Sequence, residues 1–247
     1  MAPDQPPGAL PSEVERVRAA YARRPPASED PRYSWLQAGH LFLMQERERA
    51  VLRAFVRHGL NLAELRILEV GCGNANWLRD LLRWGGSPER LFGVDLLFAR
   101  LREGRRRGPP GAGLACASAE ALPFASRTFD LVLQSTVFTS VLDQPTRGRM
   151  AAEMLRVVRP GGRVLWYDYH VNNPSNPDVR GVTRGEIARL FPGCRIDLER
   201  VTLAPPIARR LARFSWLLCT LLEYLPLLRT HYLAVISPPQ PAPPLRA

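Results

Sequence analysis

A glutamate, two glycines and an aspartate follow short apolar runs of the sequence, in positions where they could hold a polar ligand. Glu69 precedes Gly71 and Gly73 in the stretch ILEVGCGNANWL, and Asp95 ends the next apolar run, LFGVD. A glycine turn lets a ligand approach the backbone closely, and a carboxylate after the following strand is placed to accept hydrogen bonds from ribose hydroxyls. The pattern predicts a site for a cofactor that contains a nucleoside.

The tail of that cofactor has two interpretations. A dinucleotide fingerprint requires a third small residue after the glycine pair, so that a helix amino terminus can face the pyrophosphate. Asn76 stands at this position, and the carboxylate of Glu69 would repel a phosphate. These two residues favour a cofactor tail without phosphate. A nicotinamide-dependent oxidoreductase is the alternative.

The elements that must position these residues alternate regularly along the chain. Short apolar runs are separated by segments long enough for crossover helices, and the runs cover 66–70, 90–94, 113–116, 129–134, 163–169, 195–203 and 232–236. This alternation of strand and helix segments predicts an α/β fold. It has a Rossmann-like, doubly wound, mostly parallel sheet of seven strands, with helices on both faces. In such a sheet, ligands bind at the carboxyl ends of the strands.

One domain is expected over residues 35–237, with a loose arm at 1–34 and a proline-rich tail at 238–247. Within the arm, Ser12 is a candidate amino-terminal cap of a short helix over 12–24. The segment from Ile207 to Leu225 is predicted to form one long, mostly apolar helix. This helical element, taken to about residue 228, has several interpretations: a lid, a core or homodimer element, or a contact with a membrane surface.

Composition argues against several classes of function. The chain of 247 residues has a formal net charge of +11 but contains no lysine, so the charge partly reflects composition bias rather than a nucleic-acid surface. The four cysteines show neither metal-ligand nor disulfide spacing, and no metal is expected. The apolar segment 214–228 is too short and too interrupted to span a bilayer. The first residues lack a signal-peptide pattern, so a cytoplasmic location is expected. Peripheral contact with a membrane is the alternative.

Four segments between residues 66 and 170 carry a family pattern in their order and spacing. They read ILEVGCGNANWL, LFGVDL, ASAEALPFASRTFDLVLQSTVF and EMLRVVRPGGRVLWYDY. Together they resemble the motifs of class I S-adenosylmethionine-dependent methyltransferases, in particular small bacterial ones of the type 11 or ubiquinone/menaquinone pattern.

The resemblance implies S-adenosylmethionine as the cofactor. The residues that it implies as cofactor-binding are Glu69, Gly71, Cys72, Gly73, Asn74, Asn76, Asp95, Leu96, Ser118, Ala119, Glu120 and Gln134. The glycine turn would hold the amino-acid end, Asp95 the ribose, residues 118–120 the adenine, and Gln134 the methionine part. Ser118 stands where the family most often has an aspartate.

The methyl acceptor is less determined by the sequence. The run at 134–138 lacks the Asn/Asp-Pro-Pro-aromatic motif of enzymes that methylate nucleic-acid bases, so a small molecule is expected, methylated at oxygen and of natural-product, lipid or glycan type. Asp168 and His170 close the fifth strand and are candidate proton acceptors. Candidate substrate contacts are Tyr33, Trp35, Gln45, Phe138, Asn172 and Asn173. A non-catalytic cofactor-binding protein is a further alternative.

Overall fold

A seven-stranded sheet forms the centre of the protein. A computed structural model describes residues 12–24 and 30–239. The strands are β1 (Ile67–Val70), β2 (Leu91–Asp95), β3 (Gly113–Cys116), β4 (Phe129–Ser135), β5 (Val158–Tyr169), β6 (Arg195–Leu203) and β7 (Arg229–Ser237). They lie in the order β3-β2-β1-β4-β5-β7-β6, and only β7 runs antiparallel to its neighbours. The predicted Rossmann-like, mostly parallel sheet is confirmed.

Helices cover both faces of this sheet. They are α1 (Glu13–Ala22), α2 (Ala38–Arg57), α3 (Asn76–Arg83), α4 (Phe98–Arg107), α5 (Gln144–Val157), α6 (Arg184–Leu190), α7 (Pro205–Leu211) and α8 (Trp216–Glu223). One core cluster joins α5 and α6 to the sheet, and a second joins α2 and α3 to the opposite face. A third, smaller cluster packs α7 and α8 against α2.

The strand order reverses between β1 and β4, which pair in parallel register with Val70 opposite Gln134. The chain leaves β1 toward β2 on one side and enters β5 from β4 on the other. The crevice outside the carboxyl ends of these two strands is where a sheet of this kind binds its ligand. Both Glu69 and Gln134 lie at that end.

The prediction of one long helix from Ile207 to Leu225 is wrong, because the chain forms two short helices. The backbone N–H of Phe214 donates to the carbonyl of Leu211 at the end of α7. Ser215 then starts α8, its hydroxyl accepting a hydrogen bond from the backbone N–H of Leu218 at 3.1 Å. A serine cap inside an apolar run therefore divides the segment. Within the described residues, no helix is both long and apolar enough to cross a membrane.

Helix α1 is fastened to the carboxyl edge of the sheet, unlike the loose arm that the sequence predicted. Glu13 accepts a hydrogen bond from the backbone N–H of Leu142 at 2.5 Å, and the Arg16 guanidinium donates to the carbonyl of Ser140 at 2.5 Å. Arg23 forms an ion pair with Asp178 at 2.9 Å. These bonds join α1 to the segments that follow β4 and β5. The rest of the expected arm, residues 1–11 and 25–29, and the tail from 240 lie outside the described residues.

Candidate active site

The turn after β1 is built from two glycines in the left-handed region. Gly71 has a φ of +74° and Gly73 a φ of +51°. The backbone N–H groups of Gly71 and Cys72 both donate to the carbonyl of Val94, at 2.8 and 2.9 Å, which fixes the turn against β2. A Cβ atom at Gly71 would collide with the side chain of Val137. Both the backbone geometry and the neighbouring side chain therefore require glycine here.

Asp95 ties this turn to the start of α4. Its Oδ2 accepts a hydrogen bond from the backbone N–H of Gly73 at 2.7 Å, and its Oδ1 accepts one from Leu97 at 2.8 Å. A carboxylate has about four acceptor sites, so each oxygen retains capacity for a further donor such as a ribose hydroxyl. Asp95 thus shapes the site, and its contact with ribose stays a prediction.

Replacing Asp95 by asparagine is expected to lower both the stability of the empty protein and its affinity for the cofactor. The new NH2 group would face a backbone N–H donor, so one buried bond is lost, at a cost of about 1–3 kcal/mol in the free energy of unfolding. Denaturant unfolding without cofactor measures the first effect, and calorimetric titration measures the second. Asp178→Asn, at a half-exposed ion pair, is the control and should change stability by less than about 1 kcal/mol. An Asp95→Asn protein with unchanged stability would contradict the claim that the hydrogen bonds of Asp95 hold the turn to the start of α4.

Two buried polar atoms at the carboxyl ends of β1 and β4 have no hydrogen-bond partner among the described residues. They are Oε2 of Glu69 and Nε2 of Gln134, on side chains that are 3% and 1% exposed. The other end of the Gln134 amide is fixed, since its Oε1 accepts from the backbone N–H of Val137 at 3.1 Å. One free acceptor and one free donor match the ammonium and the carboxylate of an amino acid. The residues present therefore fit the amino-acid end of S-adenosylmethionine and do not fit a pyrophosphate.

The electrostatic environment of Glu69 points to the same ligand. Burial raises the pKa of Glu69 well above its ordinary value, and the nearby carboxylate of Asp95 raises it further. The guanidinium of Arg47 opposes this shift but is itself paired with Asp80 at 2.8 Å. A ligand cation beside Glu69 would supply the missing positive charge and stabilise its ionised form.

Several other residues predicted to bind the cofactor lie around the turn. Cys72 is buried under it, and burial raises the pKa of its thiol, which is typical of a structural cysteine. Asn74 and Leu96 are half-buried beside it. Asn76 is exposed, and its side-chain oxygen accepts a hydrogen bond from Arg79 on the outer surface of α3. The prediction for Asn76 is therefore corrected, because its side chain is engaged on the outside of the helix.

The segment predicted to hold the adenine is ordered by its own contacts. The hydroxyl of Ser118 accepts from the backbone N–H of Glu120 at 3.2 Å, and Ala119 packs against the core. Glu120 forms an ion pair with Arg149 at 2.6 Å, so its carboxylate is directed to the surface of α5. Ser118 and Ala119 stay candidates for the adenine contact. The carboxylate of Glu120 pairs with Arg149, so Glu120 has a structural role.

Asp168 is sealed inside the protein, contrary to its prediction as a proton acceptor for a substrate. Its side chain is fully buried and accepts hydrogen bonds from the hydroxyl and backbone N–H of Thr139, at 2.7 and 3.2 Å, and from the N–H of Tyr169 at 2.9 Å. Burial raises its pKa to about 6. Asp168 therefore anchors the segment after β4 rather than reaching an acceptor.

His170 is half-buried at the end of β5. Its Nε2 lies 2.9 Å from the carbonyl oxygen of Arg229, an arrangement that places the proton on Nε2 and leaves Nδ1 unprotonated in the neutral ring. The ring stacks on Tyr232 with 4.4 Å between centroids. Burial lowers its pKa, so the imidazole is neutral at physiological pH. A role for His170 in proton transfer stays a prediction.

The structure places four of the predicted substrate contacts in different surroundings. Phe138 is completely buried and packs on Trp166 in the main core, with ring centroids 4.6 Å apart. Gln45 lies on the exposed side of α2. The side-chain oxygens of Asn172 and Asn173 accept hydrogen bonds from backbone N–H groups of nearby loop residues at 2.9 and 3.0 Å, so both asparagines form turns. The prediction is therefore wrong for the buried Phe138, whereas substrate contacts of Gln45, Asn172 and Asn173 stay predictions.

The other two predicted contacts, Tyr33 and Trp35, flank the ring of His40 edge-on, at centroid distances of 5.9 and 5.4 Å. Tyr169 and His231, which are opposite each other on β5 and β7, pack with their ring centroids 3.7 Å apart and their planes tilted by 40°. Tyr33 also contributes to the raised pKa of Tyr169, which places the two groups near each other. We call these five residues the aromatic cluster. His40, Tyr169 and His231 were missed because no local pattern links α2 to β7.

Helices α1 and α4 both lie over the outer side of the glycine turn. The guanidinium of Arg100 lies over the ring of Tyr21 at 5.1 Å, and its nitrogen would lie 3.1 Å from a Cβ atom added at Gly73. The Tyr21 hydroxyl is 3.2 Å from the hydroxyl of Ser140. A residue of the predicted arm therefore lies at the cofactor site itself.

The comparisons with known proteins agree with this geometry. Residues 67–162 match the model of a methyltransferase domain. Over 115 residues, 46% of this chain and 41% of the relative, the chain is 35% identical to phthiotriol/phenolphthiotriol dimycocerosates methyltransferase 1 of Mycobacterium ulcerans. Over 104 residues, 40% of this chain and 43% of the relative, it is 32% identical to demethylmenaquinone methyltransferase of Anoxybacillus flavithermus. The chain thus spans less than half the length of these two relatives.

A solved structure shows the same fold. The S-adenosylmethionine-dependent methyltransferase from Mesorhizobium loti superposes with a TM-score of 0.56 at 22% identity, covering 78% of this chain and 98% of the other. The sheet order, the glycine turn and the carboxylate after β2 define an α/β domain that binds a nucleoside cofactor. Residues 67–162 thus match a methyltransferase domain in sequence, and the chain shares the fold of class I S-adenosylmethionine-dependent methyltransferases. S-adenosylmethionine is the cofactor that this match and the residues of the glycine turn fit.

Proposed function

We propose that the protein transfers a methyl group from S-adenosylmethionine to a hydroxyl oxygen of a small, largely apolar molecule of the lipid or natural-product type. The free acceptor of Glu69 and the free donor of Gln134, at the carboxyl ends of adjacent strands, carry the cofactor part of this proposal. When bound, the cofactor supplies both the methyl group and its own sulfur leaving group. The protein therefore has to bind, orient and desolvate the acceptor.

The aromatic cluster supports the acceptor part of the proposal. Tyr169 and His231 lie at the same edge of the sheet as Glu69 and Gln134, on the next two strands, β5 and β7, beyond β4. Burial lowers the pKa of His231 to about 3, so this ring is neutral and supports the position of Tyr169, which packs on it. Aromatic and neutral polar groups suit an apolar molecule with one hydroxyl.

The named relatives support an apolar acceptor and leave the methylated atom as part of the proposal. The Mycobacterium ulcerans relative is named for a lipid, phthiotriol or phenolphthiotriol dimycocerosates, and the Anoxybacillus flavithermus relative for demethylmenaquinone. A related protein from Geobacter sulfurreducens is named as a C-methyltransferase. Of these three names, only the last states the methylated atom, which is carbon.

Turnover with a panel of acceptors tests the proposal. The purified protein is incubated with methyl-labelled S-adenosylmethionine and with long-chain alcohols, phenolic lipids or reduced quinones, and the product is located by mass spectrometry and NMR. We expect a label on oxygen and a rise of at least about tenfold in KM for Tyr169→Ala, with Val56→Ala, at an exposed residue of α2, as a control outside the cluster. Label on carbon would refute O-methylation. An unchanged KM in Tyr169→Ala would refute the role of the aromatic cluster.

A further inference from the structure

The segment between β6 and β7 exposes an unusual number of large apolar side chains. They are Phe214, Trp216, Leu217, Leu218, Leu221, Tyr224, Leu225 and Leu227, with exposed fractions from 38% to 90%. We call this set the docking surface. Leu217 and Leu221 are spaced by four residues and so lie on one side of α8. Contiguous exposed apolar surface of this kind marks an interaction site.

The docking surface is held in place from the inside. Cys219, on the opposite side of α8, is completely buried in the small core shared with α2. Trp216 packs edge-on against the buried ring of Phe42, with centroids 5.6 Å apart. The cap by Ser215 fixes the start of the helix. The apolar side is thus presented by a rigid element and needs no rearrangement to bind.

Two further apolar side chains extend the surface at the amino end of α2. Trp35 is 60% exposed and Leu36 is 96% exposed. Gly39 packs so closely on the backbone of Arg209 that a Cβ atom there would collide with it, which joins the start of α2 to α7. Trp35 is also part of the aromatic cluster. The docking surface therefore borders the candidate acceptor site.

Three exposed arginines of α7 and its end border the apolar side chains: Arg209, Arg210 and Arg213. None of them forms an ion pair with an acidic side chain of the described residues. Arg213 lies over the ring of Phe214 at 4.4 Å. Glu223, the one acidic residue between 205 and 229, is paired with Arg49 at 3.4 Å. The border of the docking surface thus carries unneutralised positive charge.

We propose that the docking surface binds the protein peripherally to a bilayer that contains anionic lipids. Leucine and phenylalanine side chains enter the boundary between headgroups and acyl chains, tyrosine and tryptophan lie at the interface, and the three arginines contact lipid phosphates. A symmetric contact with a second copy fits less well. It would bring the unpaired arginines of both copies toward the same interface without free acidic groups to neutralise them.

Sedimentation with vesicles tests this proposal without any acceptor or turnover. The protein is mixed with vesicles of phosphatidylcholine alone or with 30% phosphatidylglycerol, a fraction on the order of that needed for a negative surface potential. We expect binding to the anionic vesicles, weakened by high salt, and at least about tenfold weaker binding to the neutral ones. Leu217→Glu/Leu221→Glu should lower binding at least about tenfold. Neutralising the three arginines to glutamine should lower it about 100-fold, at roughly fivefold each.

Matched controls lie elsewhere on the chain. Val56→Glu changes an apolar residue of α2 that is 83% exposed and lies outside the docking surface. Arg102, Arg184 and Arg189 are exposed arginines of α4 and α6, and their triple change to glutamine removes the same charge as the test variant. Both controls should bind anionic vesicles as the unchanged protein does. Circular dichroism confirms folding of every variant.

Three outcomes would overturn the proposal. The first is the absence of binding to anionic vesicles, and the second is an equal loss of binding in the control and test arginine variants. The third is a dimer in light scattering that Leu217→Glu/Leu221→Glu converts to a monomer, because the docking surface would then be an interface between copies. Loss of methyl transfer with retained vesicle binding would instead count against the proposed function alone.

Discussion

Replacing Glu69 by glutamine is expected to weaken S-adenosylmethionine binding by at least about 100-fold at pH 8. The buried Oε2 of Glu69 has no partner among the described residues, and glutamine removes the charge that a ligand ammonium would pair with. Losing one partner of a buried, charged hydrogen bond costs about 2–5 kcal/mol, and the lower part of that range corresponds to about 100-fold. Calorimetric titration with S-adenosylmethionine measures the effect.

The same carboxylate predicts how the affinity changes with pH. Burial raises the pKa of Glu69, and below this raised pKa the empty protein carries a proton there that must leave before a cation can pair with the carboxylate. Affinity should therefore fall as the pH is lowered through the raised pKa, by at most about tenfold per pH unit. Binding should also release a proton at the acidic end of this range. The Glu69→Gln variant should lose this part of the pH dependence.

A matched control separates this effect from a general change of charge. Glu89 is an exposed glutamate of the turn before β2, and Glu89→Gln removes the same charge from the surface. It should leave the affinity and its pH dependence unchanged. A Glu69→Gln protein that binds S-adenosylmethionine like the unchanged protein, or a protein that binds NADH instead, would refute the assignment of the amino-acid end.

Arg147→Met is expected to lower the free energy of unfolding by about 3 kcal/mol, near the lower end of the range for breaking a buried ion pair. Arg147 is completely buried, pairs with Glu186 at 2.5 Å, and donates to the carbonyls of Val141 and Arg180 at 2.6 and 3.1 Å. Without it, both carbonyls lose their donor. Glu186 keeps bonds to Gln144 and Arg180, which limits the loss.

Thermal and urea unfolding measure this change. For a chain of this size, 3 kcal/mol corresponds to a decrease of roughly 6–12 °C in Tm. The double variant Arg147→Met/Glu186→Leu should recover none of the loss, because Glu186 still pairs with Arg180 in the single variant and its removal takes the acceptor from Gln144 and Arg180. If the single variant lies within about 1 kcal/mol of the unchanged protein, the pair does not hold the segments after β4 and β5 together.

The sheet and the cofactor turn could be predicted because their signals are local. Each strand is a short apolar run between turn residues, and Gly71, Gly73 and Asp95 follow two of these runs directly. A parallel sheet brings the carboxyl ends of its strands to one edge, so the sequence positions alone place these residues together. The free atoms of Glu69 and Gln134 then add the ligand chemistry that the fold alone leaves open.

The remaining features depend on contacts between distant parts of the chain. Helix α1 contacts the site through bonds such as Arg16 to Ser140, which join residues 124 positions apart. The aromatic cluster likewise combines residues of α2 and β7. Phe138 was misassigned because an aromatic residue after a strand can face a pocket or the core, and only packing decides between them. Asp168 was misassigned for the same reason, since its burial under Thr139 has no local signal.

Helices α7 and α8 lie entirely within the connection between β6 and the antiparallel strand β7. The matched methyltransferase domain, residues 67–162, ends before this connection begins. Evolution can therefore lengthen, shorten or replace the connection without changing a residue of the cofactor turn. The proposed contact with a membrane therefore lies on a part of the chain that can change while the turn for the methyl donor stays the same.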